Sequence, residues 1–247
     1  MKTCEHDVSR YCDLPLVEPR KLAPNIDRNR ESLVRYIEKK WVNHTVLHYY
    51  FMQDRSDLAG PPAQLQAVRD AFEEWKNLSL GLEFVEVNQA VDAEFRIGFA
   101  RGSSWSYVGR DCIDLVPNHE QQTMNFGWDL TSSYGRDTAL HEIGHAMGFP
   151  HEHQNHKAGI VWNEAAVYAN FAGSPNFWDA EQTYHNIIRK ISPEDVAGSS
   201  WDKDSIMHYQ FQAGLILQPS GYENRPLIPA PGLSDMDKQE ARKFYPA

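Results

Sequence analysis

A chain of 247 residues can bury one substantial core, as a single domain or as one domain divided by a cleft. Its 41% apolar and 23% charged content is that of a globular protein, and with 7 Trp, 11 Tyr and 11 Phe it is not a disordered chain. The formal net charge of -10, with no concentrated basic face, argues against nucleic acid as a partner, and no apolar run approaches the ~20 residues of a membrane span.

Residues 1–27 hold Pro15, Pro19 and Pro24 and little periodicity, so an irregular arm is expected there. The next stretch, RNRESLVRYIEKKW, spaces Leu33, Val34, Ile37 and Trp41 as a helix does. HTVLHYYFM is rich in β-branched and aromatic residues and reads as a strand. PAQLQAVRDAFEEWKNL places Leu65, Val68, Phe72 and Trp75 on one helical face. LEFVEV and AEFRIGFA alternate apolar and polar residues, which predicts two strands, and TMNFGW holds a further short one. TSSYGRDTALHEIGHAMG predicts a long helix with Thr131, Ser132 or Ser133 as its N-cap. Beyond it NEAAVYANF and FWDAEQTYHNIIRK read as helices, and SDMDKQEARKFY as a closing helix capped by Ser234. Helices interleaved with strands in this order make an α/β fold, a sheet with helices against it. There is no internal repeat.

Four of the 11 histidines lie in the stretch TALHEIGHAMGFPHEH. His141 and His145 are four apart, so a helix puts them on one face with Cβ atoms roughly 5–6 Å apart, close enough to share one zinc ion. The helix axis carries later residues away, and Gly148 supplies the turn back, because glycine adopts a left-handed conformation at little cost. His151 can then return as a third ligand. Three protein ligands leave a fourth position for water, which is the pattern of a catalytic zinc site. Glu142 is placed to hydrogen-bond that water, take its proton and return it to a leaving amine. Nothing in the spacing requires His153 or His156, which read as solvated or outer-layer histidines.

H-E-x-x-H-x-x-G-x-x-H is a known metzincin signature. Downstream, DSIMHY resembles the methionine turn of that family. Within the metzincin zinc metallopeptidases the chain resembles the astacin-like branch. The resemblance rests on the glutamate after the third histidine in GFPHEH, on S-I-M-H-Y in the turn and on IVWNEAAV. FRIGFARGSSWSYVG and TMNFGW are similar to bacterial and fungal members. The resemblance implies a metzincin fold: an N-terminal lobe with a twisted mixed sheet, a smaller, mostly helical or irregular C-terminal lobe and a cleft between them. On that pattern residues 1–40 are an arm and helix of prosegment-like or regulatory kind. Residues 41–247 are the catalytic domain, with lobes of about 41–148 and 149–247. His141, His145 and His151 bind one Zn2+, Glu142 is the general base and acid, and Met207 forms an apolar floor under the metal. Tyr209 hydrogen-bonds the oxyanion, Glu152 anchors a mature N-terminus, and AEFRIGFA is the cleft-edge strand. Read without the family, Met207 is a core filler and Tyr209 a strand or turn aromatic.

The implied function is a zinc metalloendopeptidase acting on protein or peptide substrates. A zinc hydrolase of non-peptide amides and a latent or non-catalytic metal-binding module are the alternatives. Family analogy implies an extracellular setting, although MKTCEHDVSRYCDLP lacks the apolar stretch of a signal peptide. Three cysteines, Cys4, Cys12 and Cys112, do not read as a disulfide framework. Thiolate being a strong zinc ligand, Cys4 or Cys12 could cap the open position and hold the enzyme latent, and Asp13 could do likewise. Cleavage preference and oligomeric state are not written in the sequence.

Overall fold

The computed structural model describes residues 10–17, 39–192 and 200–247. Cys4 and most of the helix expected over RNRESLVRYIEKKW lie outside the described residues, and residues 10–17 of the arm carry no helix or strand.

Strand β1 (Thr45–Phe51) turns Leu47, Tyr49 and Phe51 inward and lies within the parallel part of a five-stranded sheet. Helix α1 (Pro62–Lys76) starts with proline in its first turn, where a missing N–H costs nothing, and buries Val68, Ala71, Phe72 and Trp75. Strands β2 (Leu82–Glu86), β3 (Phe95–Gly98), β4 (Trp105–Ser106) and β5 (Met124–Asn125) complete the sheet in the order β2-β1-β3-β5-β4. All pairings are parallel except β4 with β5.

The expected edge role of AEFRIGFA is corrected here. Its strand, β3, is interior, bonded to β1 on one side and β5 on the other. All four of its residues are buried, as in strands covered on both faces. Arg96, the polar residue that suggested a wet face, is itself buried. Its guanidinium donates to the carbonyls of Ala93, Val116 and Gln121, so its N–H groups lose water and gain backbone partners. The sheet's edges are β2 and β4.

Helix α2 (Ser133–Ala146) packs across α1 and bears the histidine cluster. Its N-cap is Ser132, whose hydroxyl accepts from Gly135 N at 3.0 Å. Helix α3 (Glu164–Ala172) is capped by Asn163. The helix expected over FWDAEQTYHNIIRK is a single turn, Ala180–Thr183, that passes into a π-helical turn, Tyr184–Ile188. Helix α4 (Asp235–Phe244) closes the fold with a Ser234–Asp237 capping box.

Two hydrophobic clusters form. One joins the sheet, α1 and α2 to Ile206, Met207, Ala241 and Tyr245. The second holds Tyr11, Cys12 and Leu14 of the arm against Trp162, Phe171, Trp178, Tyr209 and Phe211.

Candidate metal and catalytic centre

The C-terminal end of α2 sets the geometry. Gly148, at φ +102°, stands just past the helix. Gly148 N donates to His145 O and Phe149 N to Gly144 O, at 2.8 and 3.0 Å, the paired bonds of a Schellman ending. Three side chains hold this end: Trp75 Nε1 donates to Leu140 O, Trp41 Nε1 to Ala146 O and the Tyr245 hydroxyl to Met147 O. The chain therefore reverses on a fixed pivot, and His151 returns to face the helix.

His141, His145 and His151 meet. Their ring centroids lie 4.5, 4.6 and 5.3 Å apart. His141 Nδ1 is 2.7 Å from Ile206 O and His145 Nδ1 is 2.7 Å from Phe149 O. A carbonyl only accepts, so each Nδ1 carries the proton and each Nε2 turns a lone pair inward. His145 Nε2 and His151 Nε2 are 3.0 Å apart. Two nitrogens at about 2.0–2.1 Å from one tetrahedral ion stand about 3.3 Å apart, so the spacing fits a shared zinc. His141 Nε2 is buried with no hydrogen-bond partner among the described residues, as expected of a nitrogen kept for a metal. Burial keeps all three rings neutral, pushing His141 down to about 4 and His145 and His151 well below their ordinary value. Neutral imidazole is the metal-binding form.

Glu142 is fully buried beside them. Burial pushes its carboxyl up to about 8, and the charge of Asp13 adds to the rise. Met207 lies under the helix at Gly144, where a Cβ would come within 2.4 Å of its sulfur, so the glycine is what lets the two surfaces approach. Tyr209 packs against His151 at 4.3 Å between centroids and against His141 at 5.7 Å. His153, unneeded by the spacing, is buried rather than solvated. Its Nε2 faces Asn186 O, and its ring lies 4.7 Å from that of Tyr209.

The arm enters this centre. Cys12 Sγ and one ligand nitrogen from each of the three histidines all lie within 4.8 Å of one another. The Cys12 thiol also donates to Glu142 Oε2 at 3.5 Å, and the Tyr209 hydroxyl donates to Cys12 O at 2.7 Å. Asp13 N donates to Ser104 O, next to edge strand β4, and Leu14 N donates to Asn186 Oδ1. The Asp13 carboxylate accepts from Gln182 Nε2 and Asn186 Nδ2, so it does not point at the histidines as a competing donor. Tyr134 donates to Arg10 O. Gln182, Asn186 and Tyr11 were not visible as site residues in the sequence. Alongside the arm lies a cavity of about 330 Å³ lined by Trp128, Tyr134, Thr138, Ile228 and Pro231.

Glu152 ties the third histidine's loop to the methionine turn. Its N donates to Met207 O, and its Oε1 accepts from Asp202 N and Asn155 Nδ2. Burial pushes this carboxyl up from 4.5 to about 7. A raised carboxyl binds more protons folded than unfolded, so its contribution to stability is present below about pH 4.5 and is lost as pH rises through about 7. Glu152→Gln keeps an acceptor and removes the titration. In chelator-treated protein the variant should therefore gain about 3 kcal/mol on wild type between pH 4.5 and 8, read by denaturant unfolding. A pH-independent difference would contradict this.

A family profile described as Astacin, a peptidase family, matches residues 33–245. Among solved structures, one of myroilysin is 31% identical over 85% of this chain and 96% of its own, with a TM-score of 0.74. A second, a crystal structure of myroilysin, is 28% identical over 85% and 86%, with a TM-score of 0.61. High choriolytic enzyme 1, a hatching enzyme zinc-protease from Oryzias latipes (Medaka fish), is 18% identical over 84% and 92%, with a TM-score of 0.50, a likeness of fold alone. No curated protein matches the chain.

Proposed function

From the premise that the chain belongs to the astacin family of peptidases, we propose how its own residues carry out the work of a zinc-dependent endopeptidase. The catalytic unit is residues 41–247, with lobes of about 41–148 and 149–247, and it acts on protein or peptide substrates in an extracellular setting. The observation that carries the reading is the convergence of three neutral, buried imidazoles beside a buried carboxyl.

His141, His145 and His151 hold one zinc ion. Zinc supplies a Lewis acid that polarises the scissile carbonyl and makes water a nucleophile near neutral pH. Glu142 takes the proton of the attacking water and hands it to the leaving amine. The Tyr209 hydroxyl, which here donates to a main-chain carbonyl of the arm, donates to the oxyanion as charge develops. Met207 fills the space under the helix and fixes its height. Gly148 supplies the reversal that brings His151 in, and Glu152 steadies the loop it stands on.

The occupied site favours a peptide over a small amide, because it holds a stretch of chain whose N–H groups donate to Ser104 O and to Asn186 Oδ1. In this structure that stretch is the protein's own. Cys12 stands where a fourth zinc donor would stand, so the described state is latent and opens when the arm leaves. Cys4 lies outside the described residues and is left with no part in the proposal. Chelation with phenanthroline should abolish cleavage of a mixed peptide library by a Cys12→Ala chain, and stoichiometric zinc should restore it. Activity that persists in metal-free protein would refute the reading.

A further inference from the structure

Tyr11 immediately precedes the cysteine at the centre, yet its side chain is spent on neither the metal site nor the sheet. It is 4% exposed and fits among rings of the second cluster. It meets Phe171 edge-on at 4.7 Å and lies 6.4 Å from Trp178 and 6.2 Å from Phe211. Phe171 and Trp178 stack on each other at 5.1 Å, which makes a rigid wall. Tyr209 belongs to both places: its ring is 5.4 Å from Tyr11 and 4.3 Å from His151. The Tyr11 hydroxyl is buried with no hydrogen-bond partner among the described residues. The rings around it present no charge.

We propose that this pocket, walled by Phe171, Trp178 and Phe211 with Tyr209 between it and the centre, is a specificity pocket of the cleft. It takes a large aromatic or aliphatic side chain of the substrate once the arm has left. The inference rests on the peptidase reading and adds to it the class of side chain selected. Three features point this way. Three consecutive residues of the arm bond through main-chain groups to Ser104 O, Asn186 Oδ1 and the Tyr209 hydroxyl beside the centre, so the arm's side chains report where a bound peptide's side chains go. The pocket adjoins the reacting centre through one shared ring. Its floor offers no partner to a hydroxyl, so it suits phenylalanine or leucine better than tyrosine, and it rejects lysine and aspartate, whose charge would be buried unpaired.

The test uses the full chain. Blocked pentapeptides that differ only at the central residue (Phe, Leu, Ala, Lys or Asp) are added to zinc-loaded wild type, and alkylation of Cys12 is followed by peptide mass spectrometry. Cys12 is a buried residue of the arm itself, so displacement of the arm exposes it. Phe and Leu peptides should speed its alkylation about 10-fold over the Ala peptide, while Lys and Asp peptides do not. Trp178→Leu, a conservative change in the wall, should narrow that difference. In parallel, a Cys12→Ala chain digests a peptide library, and the cut sites should show an aromatic or aliphatic residue at one fixed position. Equal alkylation with every peptide, or cleavage without such a position, overturns the pocket. Alkylation that depends on Phe and Leu, with no cleavage at all, leaves the pocket standing and sinks the peptidase reading instead.

Discussion

Replacing Glu142 by Gln in a Cys12→Ala chain should lower kcat/KM for a cleaved peptide by 10²- to 10⁴-fold, the usual worth of a positioned general base, while zinc content stays at one ion per chain. The side chain is fully buried and touches no histidine nitrogen through any hydrogen bond found among the described residues, so its loss leaves the three imidazoles in place. Glutamine keeps the volume and an acceptor oxygen but cannot carry the proton. Metal analysis and a steady-state assay on the same preparation separate loss of the base from loss of the metal. Unchanged cleavage would assign the activity to another group or to a contaminant. Loss of zinc along with activity would make Glu142 a structural support instead.

Cys12→Ala alone should raise the activity of the full chain at least about 10-fold, because it removes the donor nearest the zinc position without touching the histidines. The arm's remaining grip is made of ordinary hydrogen bonds at Arg10, Asp13 and Leu14 and the packing of Tyr11. A peptide substrate can compete for each of these, whereas a thiolate on zinc holds far more firmly. Cys12→Ser is the sharper control: a hydroxyl fits the same space and is a much weaker ligand than a thiolate, so its activity should fall between wild type and Cys12→Ala. Equal activity in all three chains would leave the cysteine as a packed core residue. Removal of residues 1–27 should raise activity further still if the arm as a whole blocks the cleft.

What the sequence revealed was local. The four-residue spacing of His141 and His145, the glycine at 148 and the histidine beyond it are all fixed within one helix and its ending, so a short stretch contains the whole argument. The caps behave alike: Ser132, one of three candidates, and Ser234 act on N–H groups three residues away. What remained hidden was made by distant partners. Cys12 meets Glu142 across 130 positions, and Leu14 meets Asn186 across 172. No periodicity encodes such pairs. The sheet edge beside the arm is two residues long, too short to show alternation, and the strand that did show it, β3, drew its one polar residue inside by bonding it to carbonyls. Asn186 sits in a π-helical turn, a local departure that helical patterning does not signal.

The clasp on the end of α2 carries a consequence for how the nascent chain matures. The carbonyl of Met147 accepts from the hydroxyl of Tyr245, 98 positions later, and the same hydroxyl accepts from Trp41 N. Of the three clasps on this helix, those of Trp41 and Trp75 come from residues made before it, whereas the Tyr245 clasp cannot form until nearly all of the C-terminal half has been made. Ile206 O, the partner of His141 Nδ1, is also made late, so the orientation of the first histidine is not fixed until most of the chain exists.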